Sequence, residues 1–188
     1  MQEEYFDVVD EYGVPTGETV SRSDAHANGI WHRTSHVWIL RDHDGKIQVL
    51  LQKRCEDKDS FPGCYDISSA GHIPAGCGHE ESAIRELKEE LGVKAEEPDL
   101  ICCGSRSIVW DDEFHGKAYH DRQFTKVFIL WLDQEEDSFM LQPEEVESVM
   151  WIDLDECIDR VIHNTFKHCL ELEELYIVRE KGLKQEQS

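Results

Sequence analysis

The sequence predicts a single α/β domain in which helices cover both faces of a mixed β-sheet. Three observations lead to this class. Short apolar runs typical of strands fill most of the chain, one early stretch has the apolar spacing of a helix, and residues 154–188 form a C-terminal helical region. Strands combined with helices in this order favour an α/β/α sandwich. Because no repeat or linker interrupts the 188 residues, we expect one domain over residues 1–188.

The strands are predicted in chain order from apolar runs that end at turn residues. Residues 1–22 are expected to form a hairpin around the turn at 13–17, and residues 42–45 predict a second hairpin turn. Residues 111–123 are mainly polar and are predicted to form a loop. The predicted strands are residues 5–10, 35–41, 46–54, 65–69, 100–110, 124–132 and 148–152.

The chain is strongly acidic. It has 19 Lys and Arg residues against 41 Asp and Glu residues, which gives a net charge of −22. Duplex nucleic acid and anionic membranes both require a basic surface, so neither is an expected partner. The first residues lack an apolar signal segment, and no apolar run approaches the roughly 20 residues of a membrane span. Seven cysteines without zinc-finger spacing predict reduced thiols in a cytoplasmic protein. The oligomeric state is not indicated.

The clearest helix signal lies between a glycine-containing loop and Gly92. Ile84, Leu87 and Leu91 recur at i, i+3 and i+7, which is the spacing of one apolar stripe on a helix. Glycine directly after such a stripe is a common helix stop. We therefore predict a helix that packs this stripe on the core and ends at Leu91.

Three carboxylates share an adjoining face of the predicted helix. Glu86, Glu89 and Glu90 stand at i, i+3 and i+4, and a like-charged pair at this spacing costs roughly 0.2–0.5 kcal/mol. A bound divalent cation would reverse that cost, because hard cations such as Mg²⁺ take oxygen ligands. The alternative is an ordinary solvated acidic face, which is common in so acidic a chain.

Residues 71–93, GHIPAGCGHEESAIRELKEELGV, resemble the Nudix box, which fixes glycine, glutamate and arginine positions over 23 residues. In Nudix proteins this box is a loop–helix–loop on an α/β/α sandwich and binds Mg²⁺ or Mn²⁺, so the resemblance implies the same fold and cofactor. Carried over by position, it implies metal ligation by Glu86, Glu89, Glu90 and the carbonyl of Gly71. Arg85 matches the box arginine, which orients the glutamates.

One box position departs from the family pattern. The family has a supporting glutamate six residues after the first glycine, and this chain has Cys77 there. The three implied carboxylate ligands are unaffected. Glu80 and Glu81 are near in sequence and are candidates to replace the missing carboxylate.

A longer match, from about residue 5 to residue 154, resembles the Nudix branch that holds type 1 isopentenyl diphosphate isomerases and related hydrolases. Those isomerases bind metal with histidines at the positions of His26, His32 and His72; the alternative for each is a polar surface or loop residue. The resemblance places Arg54 and Lys58 on the diphosphate, which suits two cations four residues apart, and we assign His72 to the same substrate site. The alternative for both cations is a charged loop. The match is carried by His26, His32, Arg54, Lys58, Phe61-Pro62-Gly63 and Ser69-Ala70-Gly71-His72.

The catalytic pair of the isomerases is not present in this chain. Ala70 and Gln123 stand where those enzymes have Cys and Glu, and neither residue can supply the acid or base that isomerisation needs. The three box glutamates, which the isomerases have largely lost, are retained, and both observations favour hydrolysis. Glu89 is the first candidate for the general base and Asp121 the second, with a solvated loop carboxylate as the alternative for Asp121.

The sequence therefore predicts a Mg²⁺- or Mn²⁺-dependent pyrophosphohydrolase that acts on a small molecule in which a diphosphate is linked to another group. Two alternatives stay open. One is an isopentenyl diphosphate isomerase, which rests on the overall resemblance. The other is a nucleotide-binding Nudix module with little turnover, which is suggested by Cys77 and Gln123. The organic half of the substrate is not determined by these motifs.

Overall fold

The computed structural model describes residues 3–10, 12–58, 60–114 and 116–185, and the side chains up to residue 183. The last three residues of the predicted 154–188 region lie outside the described residues. The strands are β1 Tyr5–Val9, β2 Pro15–Ser21, β3 His32–His43, β4 Lys46–Arg54, β5 Tyr65–Asp66, β6 Ser69–His72, β7 Ile101–Phe114, β8 Lys117–Trp131 and β9 Val146–Asp153. The helices are α1 Arg22–Asn28, α2 His79–Leu91, α3 Leu154–Ile162 and α4 Leu172–Gln185.

The main sheet is mixed and has seven strands. Its central path runs β5-β4-β3-β8-β7, while β6 pairs with β3 and β9 pairs with β4. The pairing of β3 with β8 is parallel and the other described pairings are antiparallel. Strands β1 and β2 form a separate antiparallel pair. The predicted α/β class with a mixed sheet is confirmed.

Helices pack on both faces of this sheet because β3 is apolar on both sides. Val37 and Ile39 point to a core that also contains Leu87 of α2. Trp38 and Leu40 alternate with them and point to a second core, which contains residues of α3 and α4. A central strand that is buried on both faces has a continuous apolar sequence. Which of its side chains point to which core is therefore apparent only from the folded structure.

Residues 111–123 were predicted to form a polar loop, but most of them belong to strands β7 and β8. Residues 111–114 and 117–123 continue the two strands into a long antiparallel ribbon. Most residues of β7 remain exposed or half-buried, so the ribbon lacks the alternation of apolar and polar residues that marks a half-buried strand. Backbone pairing, rather than burial of one apolar face, holds this part of the chain in strands.

Candidate active site

Helix α2 is held against the sheet by its apolar side. Ala83, Leu87 and Leu91 are buried, and Ile84 is half-buried. Gly92 follows the helix in the left-handed region with φ 69°, and its N–H donates to the carbonyls of Leu87 and Lys88. The predicted helix end is confirmed. This packing fixes the rotation of α2 and therefore the direction in which its carboxylates point.

The three glutamates of α2 have different environments. Glu90 is buried and accepts a hydrogen bond of 2.7 Å from the hydroxyl of Ser69 on β6. Glu86 is half-buried and accepts a hydrogen bond of 2.6 Å from the Arg85 guanidinium. The Glu89 side chain is 57 % exposed, and its carboxylate lies 3.9 Å from Nε of Arg85. Glu89 is thus the carboxylate of the three that bulk water reaches most easily.

Burial shifts two of these carboxyl groups toward the protonated form. It raises the pKa of Glu90 to about 8, and the neighbouring Glu86 adds to the shift. Burial also raises the pKa of Glu86, although Arg85 opposes the change. Carboxylates that are costly to ionise without a counter-charge are well suited to a divalent cation, because the cation supplies that charge.

Gly71 on β6 lies directly beneath the Glu86 side chain. A Cβ atom at this position would stand 2.3 Å from Cγ of Glu86, a separation that real atoms do not tolerate. Glycine therefore leaves the space that the Glu86 side chain occupies, and a larger residue would displace that side chain. The guanidinium of Arg85 contacts the carbonyl oxygen of His72 at 3.4 Å and so ties the helix to the same strand.

A pocket of about 890 Å³ opens beside these carboxylates. It collects residues that are far apart in the chain, from β3, β4, β6, α2, β7, β8 and α4. The predicted site residues on its wall are Arg54, Lys58, Gly71, His72, Glu86, Glu89, Glu90 and Asp121. Arg85 holds Glu86 and Glu89 from the side, and is not part of the pocket lining.

The two predicted phosphate-binding cations already have partners inside the protein. Arg54 donates to Asp66 at 3.0 Å and to the carbonyl oxygen of Ser60. Lys58 forms an ion pair with Glu145. Both cations line the pocket that also holds the α2 carboxylates, so an anion that entered with a metal ion would meet side chains of both signs.

Three histidines form a buried cluster next to the pocket. The candidate ligand atoms of His26, His32 and His72 all lie within 4.8 Å of one another. The Nε2 atom of each ring is buried and has no hydrogen-bond partner among the described residues. Phe6 on β1 stacks on the rings of His32 and His72 at 4.9 and 4.8 Å. The alternative of a surface or loop role for His26 and His32 is wrong, because both side chains are buried.

The protonation of the cluster follows from its hydrogen bonds. Nδ1 of His26 and of His32 lies 2.9 and 2.8 Å from the backbone carbonyls of Arg22 and Ile30. A carbonyl oxygen accepts only, so Nδ1 carries the proton and Nε2 keeps its lone pair. Burial lowers the pKa of both rings to about 4. Neutral rings with inward lone pairs are the form in which histidine ligates metals.

A carboxylate completes this cluster. Oδ1 of Asp121 lies 3.8 Å from Nε2 of both His26 and His32 and has no hydrogen bond to a described residue. Its other oxygen accepts a 2.7 Å hydrogen bond from the amide of Gln123. Burial raises the pKa of Asp121 to about 6. The alternative of a solvated loop carboxylate is therefore wrong, and the donor set of three nitrogens and one oxygen fits a divalent cation.

The loop at Cys77 is supported by a residue that the sequence did not single out. Asp7 on β1 accepts hydrogen bonds from the N–H of Gly76 at 2.9 Å and from Arg33 at 2.8 Å, and Arg33 also donates to the carbonyl of Cys77. Asp7 thus supplies a carboxylate from another part of the chain. No sequence signal separates it from the many other acidic residues near the N-terminus.

The two carboxylates that were candidates for this support have other partners. Glu80 forms an ion pair with Lys126 on β8. Glu81 accepts a hydrogen bond of 3.3 Å from the N–H of Gly78 and so caps α2. Both residues stabilise the start of the helix, and the loop itself depends on the N-terminal hairpin.

The sandwich fold, with Gly71 packed under the carboxylates of one helix, defines a protein of the Nudix class. The sequence model of the NUDIX domain matches residues 31–169, and the chain belongs to this family. It is 36 % identical over 185 residues to an uncharacterized Nudix hydrolase of Clostridium acetobutylicum, an alignment that covers 97 % of this chain and 84 % of that one. The protein is a Nudix-type pyrophosphohydrolase.

Solved structures agree with this fold assignment. The chain is similar to DR0079 from Deinococcus radiodurans, with a TM-score of 0.69, 18 % identity, and coverage of 94 % of this chain and 98 % of that one. It is also similar to the NUDIX domain of Shewanella oneidensis NrtR in complex with ADP ribose, with a TM-score of 0.58, 18 % identity, and coverage of 79 % and 86 %. None of the described helices is long and apolar enough to span a membrane.

Proposed function

We propose that this protein is a Mg²⁺- or Mn²⁺-dependent hydrolase of a diphosphate linked to another moiety. The observation that carries the proposal is the single pocket that joins Glu86, Glu89 and Glu90 to the cations Arg54 and Lys58. Carboxylates and cations that line the same pocket suit a metal–diphosphate complex, because the carboxylates can bind the metal ion and the cations can bind the phosphate oxygens.

The α2 carboxylates would hold the metal ion together with the carbonyl of Gly71. Burial raises the pKa of Glu90 and of Glu86, and hydrogen bonds from Ser69 and Arg85 orient their carboxylates. Arg85 supplies a single positive charge beside Glu86 and Glu89, so a divalent cation would add the charge that the three carboxylates lack. When bound, the ion supplies Lewis-acid stabilisation of the phosphoryl oxygens and makes a water molecule more acidic.

Glu89 is the proposed general base. Its partial exposure lets it take a proton from a water molecule in the pocket and pass that proton to solvent, while Arg85 limits its rotation. Asp121 is the second candidate, because burial raises its pKa to about 6, a value suited to proton transfer near neutral pH. Because Asp121 lies beside the histidine cluster, we favour a role as a metal ligand there over a role as the general base.

Arg54 and Lys58 would bind the diphosphate after a change of partner. Asp66 and Glu145 neutralise the two cations in the ligand-free protein and keep them near the pocket. A diphosphate carries more negative charge than either carboxylate and offers a guanidinium a bidentate partner, so it can compete with Asp66 and Glu145 for these two cations. His72 contributes to the wall between these cations and the histidine cluster.

A separate metal ion is proposed for the cluster of His26, His32, His72 and Asp121. Imidazole-rich sets favour ions such as Zn²⁺ over Mg²⁺. We expect His32→Gln to weaken Zn²⁺ binding by roughly 10²-fold or more, measured by calorimetric titration of metal-free protein. His43→Gln, which changes an exposed histidine, is the control and should bind like the wild type. Equal Zn²⁺ affinity in the wild type and His32→Gln would remove this ion from the proposal.

The proposed activity is tested with a substrate panel. Phosphate and nucleotide release should be measured from nucleoside diphosphates, nucleotide sugars, dinucleotides and prenyl diphosphates, with and without Mg²⁺ or Mn²⁺. ADP-ribose belongs in the panel because it is bound in the structurally similar NrtR domain. We expect cleavage of at least one member that stops when metal is removed, because without the ion the three α2 carboxylates carry more negative charge than Arg85 offsets and would repel a diphosphate.

The same panel separates the alternatives. Conversion of isopentenyl to dimethylallyl diphosphate would instead support the isomerase branch, which Ala70 and Gln123 oppose. Binding without product across the panel would support a nucleotide-binding module, and Cys77→Glu would then be the variant to restore turnover. The cytoplasmic location remains a prediction from the sequence.

A further inference from the structure

One part of the pocket wall has no role in the chemistry proposed above. It consists of His36 on β3, Arg106 on β7 and Glu174 on α4, and these three residues are termed the α4 wall. All three line the pocket that also holds the α2 carboxylates. His36 pairs across the sheet with Ala70, the residue before Gly71. The α4 wall therefore adjoins the proposed metal-binding residues.

Glu174 organises the α4 wall from inside the protein. Its side chain is 2 % exposed. One carboxylate oxygen accepts hydrogen bonds from the indole of Trp38 at 2.7 Å and from Nδ1 of His36 at 2.9 Å. The other accepts from Nδ1 of His36 at 3.1 Å and from Arg106 at 3.1 Å. Two contacts on each oxygen use the acceptor capacity of the carboxylate, so Glu174 has little left to offer a ligand.

The atoms that remain on the α4 wall are therefore donors. Because Nδ1 of His36 is bound to Glu174, Nε2 is the ring atom that can face the pocket. Burial lowers the pKa of His36, but the charge of Glu174 and its hydrogen bond outweigh burial and raise the pKa above its ordinary value, which favours the form with a proton on both nitrogens. Nε of Arg106 is buried and has no hydrogen-bond partner among the described residues, while its terminal nitrogens contact Glu174 and Glu173.

Buried donors without acceptors select strongly among ligands. Leaving such a group unpaired against an apolar ligand costs about 1–3 kcal/mol, and more when the group is charged. A site built to hydrogen-bond its substrate can reject an analogue without the matching acceptor by about 10⁴-fold. A hydrocarbon chain placed against the α4 wall would leave Nε of Arg106 unpaired and would remove water from Nε2 of His36, whereas oxygen atoms of a sugar or nucleoside could pair with both nitrogens.

We infer that Glu174 is a positioning residue that holds His36 and Arg106 as specificity-determining donors for acceptor atoms on the organic half of the substrate. This inference rests on the proposed diphosphate hydrolysis and adds the residues that choose the substrate. Trp110 and Phe61, whose rings lie 4.8 Å apart on the same pocket wall, offer an apolar surface for a flat ring beside these donors. Glu174 lies outside the matched NUDIX segment, residues 31–169.

The test compares two kinds of substrate. Wild-type kcat/KM should be at least roughly 10²-fold higher for ADP-ribose or UDP-glucose than for isopentenyl or geranyl diphosphate. His36→Leu should lower kcat/KM for the polar substrates about 10-fold or more and leave the prenyl diphosphates unchanged. His36→Gln keeps a donor and should recover part of the loss, which a purely structural role would not produce. His43→Gln, which changes an exposed histidine outside this pocket, is the control and should keep the wild-type ratio.

Two results would overturn the inference. One is wild-type cleavage of prenyl diphosphates at rates equal to those of the polar substrates. The other is an equal loss for both substrate kinds in a folded His36→Leu protein. If neither kind is cleaved, the proposed function fails and calorimetry decides the inference separately: with Mg²⁺ present, tighter binding of ADP-ribose than of geranyl diphosphate supports it, and equal or weaker binding contradicts it.

Discussion

Replacing Glu89 by glutamine is expected to lower kcat roughly 10²-fold or more, because the change removes the proton acceptor while it keeps the shape of the side chain. Glu89 is the α2 carboxylate that is most exposed to water, and it lies in the same pocket as Arg54 and Lys58. Steady-state rates with the best substrate of the panel, at saturating Mg²⁺, measure this effect. KM should change much less than kcat if proton transfer is what is lost.

Lys88→Gln is the matched control for this variant. Lys88 is exposed on the adjoining position of α2 and does not line the pocket, so its loss alters the local charge without touching the reaction. We expect wild-type turnover from it. Unchanged turnover in Glu89→Gln would contradict the assignment of Glu89 as the general base, and Asp121 would then be the next candidate to test.

The second large effect concerns stability. Glu174→Gln is expected to reduce the free energy of unfolding by about 3–5 kcal/mol near pH 6, because it leaves the buried charges of His36 and Arg106 without their shared partner. Urea denaturation of both proteins measures the difference. Glu173→Gln changes the adjacent carboxylate, which is 69 % exposed, and should cost no more than about 1 kcal/mol.

The contribution of Glu174 depends on pH in a defined way. Burial alone would raise its pKa, but the charge of His36, hydrogen bonds from His36 and Trp38, and the charge of Arg106 outweigh it and lower the pKa from 4.5 to about 2. A shift of this size corresponds to about 3 kcal/mol. Because the folded-state pKa is depressed, the stabilisation is present above pH 4.5 and is lost as the pH falls toward 2.

His36 sets the upper end of the pH range in which this ion pair stabilises the folded protein. Its pKa is raised above 6.5 by Glu174, although burial opposes this change. A raised pKa gives stabilisation that is complete below pH 6.5 and is lost as the pH rises through the folded-state value. The difference between wild type and Glu174→Gln should therefore be largest between about pH 4.5 and 6.5. A difference that is constant from pH 3 to pH 9 would contradict the ion pair as its source.

Local patterns were sufficient to predict the fold class and the helix that carries the glutamates. The apolar spacing of Leu87 and Leu91, followed by Gly92, is a property of one short segment, and α2 forms where that segment lies. The three carboxylates on one face follow from helix geometry alone. Their differing burial does not, because it depends on Ser69 and Arg85 in the folded protein.

The histidine cluster shows where sequence patterns reach their limit. His26, His32 and His72 come from α1, β3 and β6, and nothing in the spacing of the three predicts that their rings meet under Phe6. The family resemblance pointed to these positions, and the alternative for each was a polar surface or loop residue. Burial here is created by the N-terminal hairpin, which is a tertiary contact that a local window does not contain.

Glu174 had no sequence signal at all. It is one of 41 acidic residues in the chain, and it lies in a helix that an apolar pattern predicts only in broken form. Its importance arises from contacts with His36 and Arg106, which belong to other strands and lie 138 and 68 residues earlier. Long-range pairing of charges is decided by the assembled sheet, so it becomes visible only in the folded protein.

That separation along the chain also has a consequence for biosynthesis. The ribosome makes proteins from the N-terminus, so His36 and Arg106 leave it well before Glu174, and the β-sheet can assemble while both cations still lack their counter-ion. Glu174 is the last residue of the pocket lining to be synthesised. Until α4 docks, the proposed donors His36 and Arg106 lack the carboxylate that orients them, so the proposed substrate wall is the part of the pocket that is completed last.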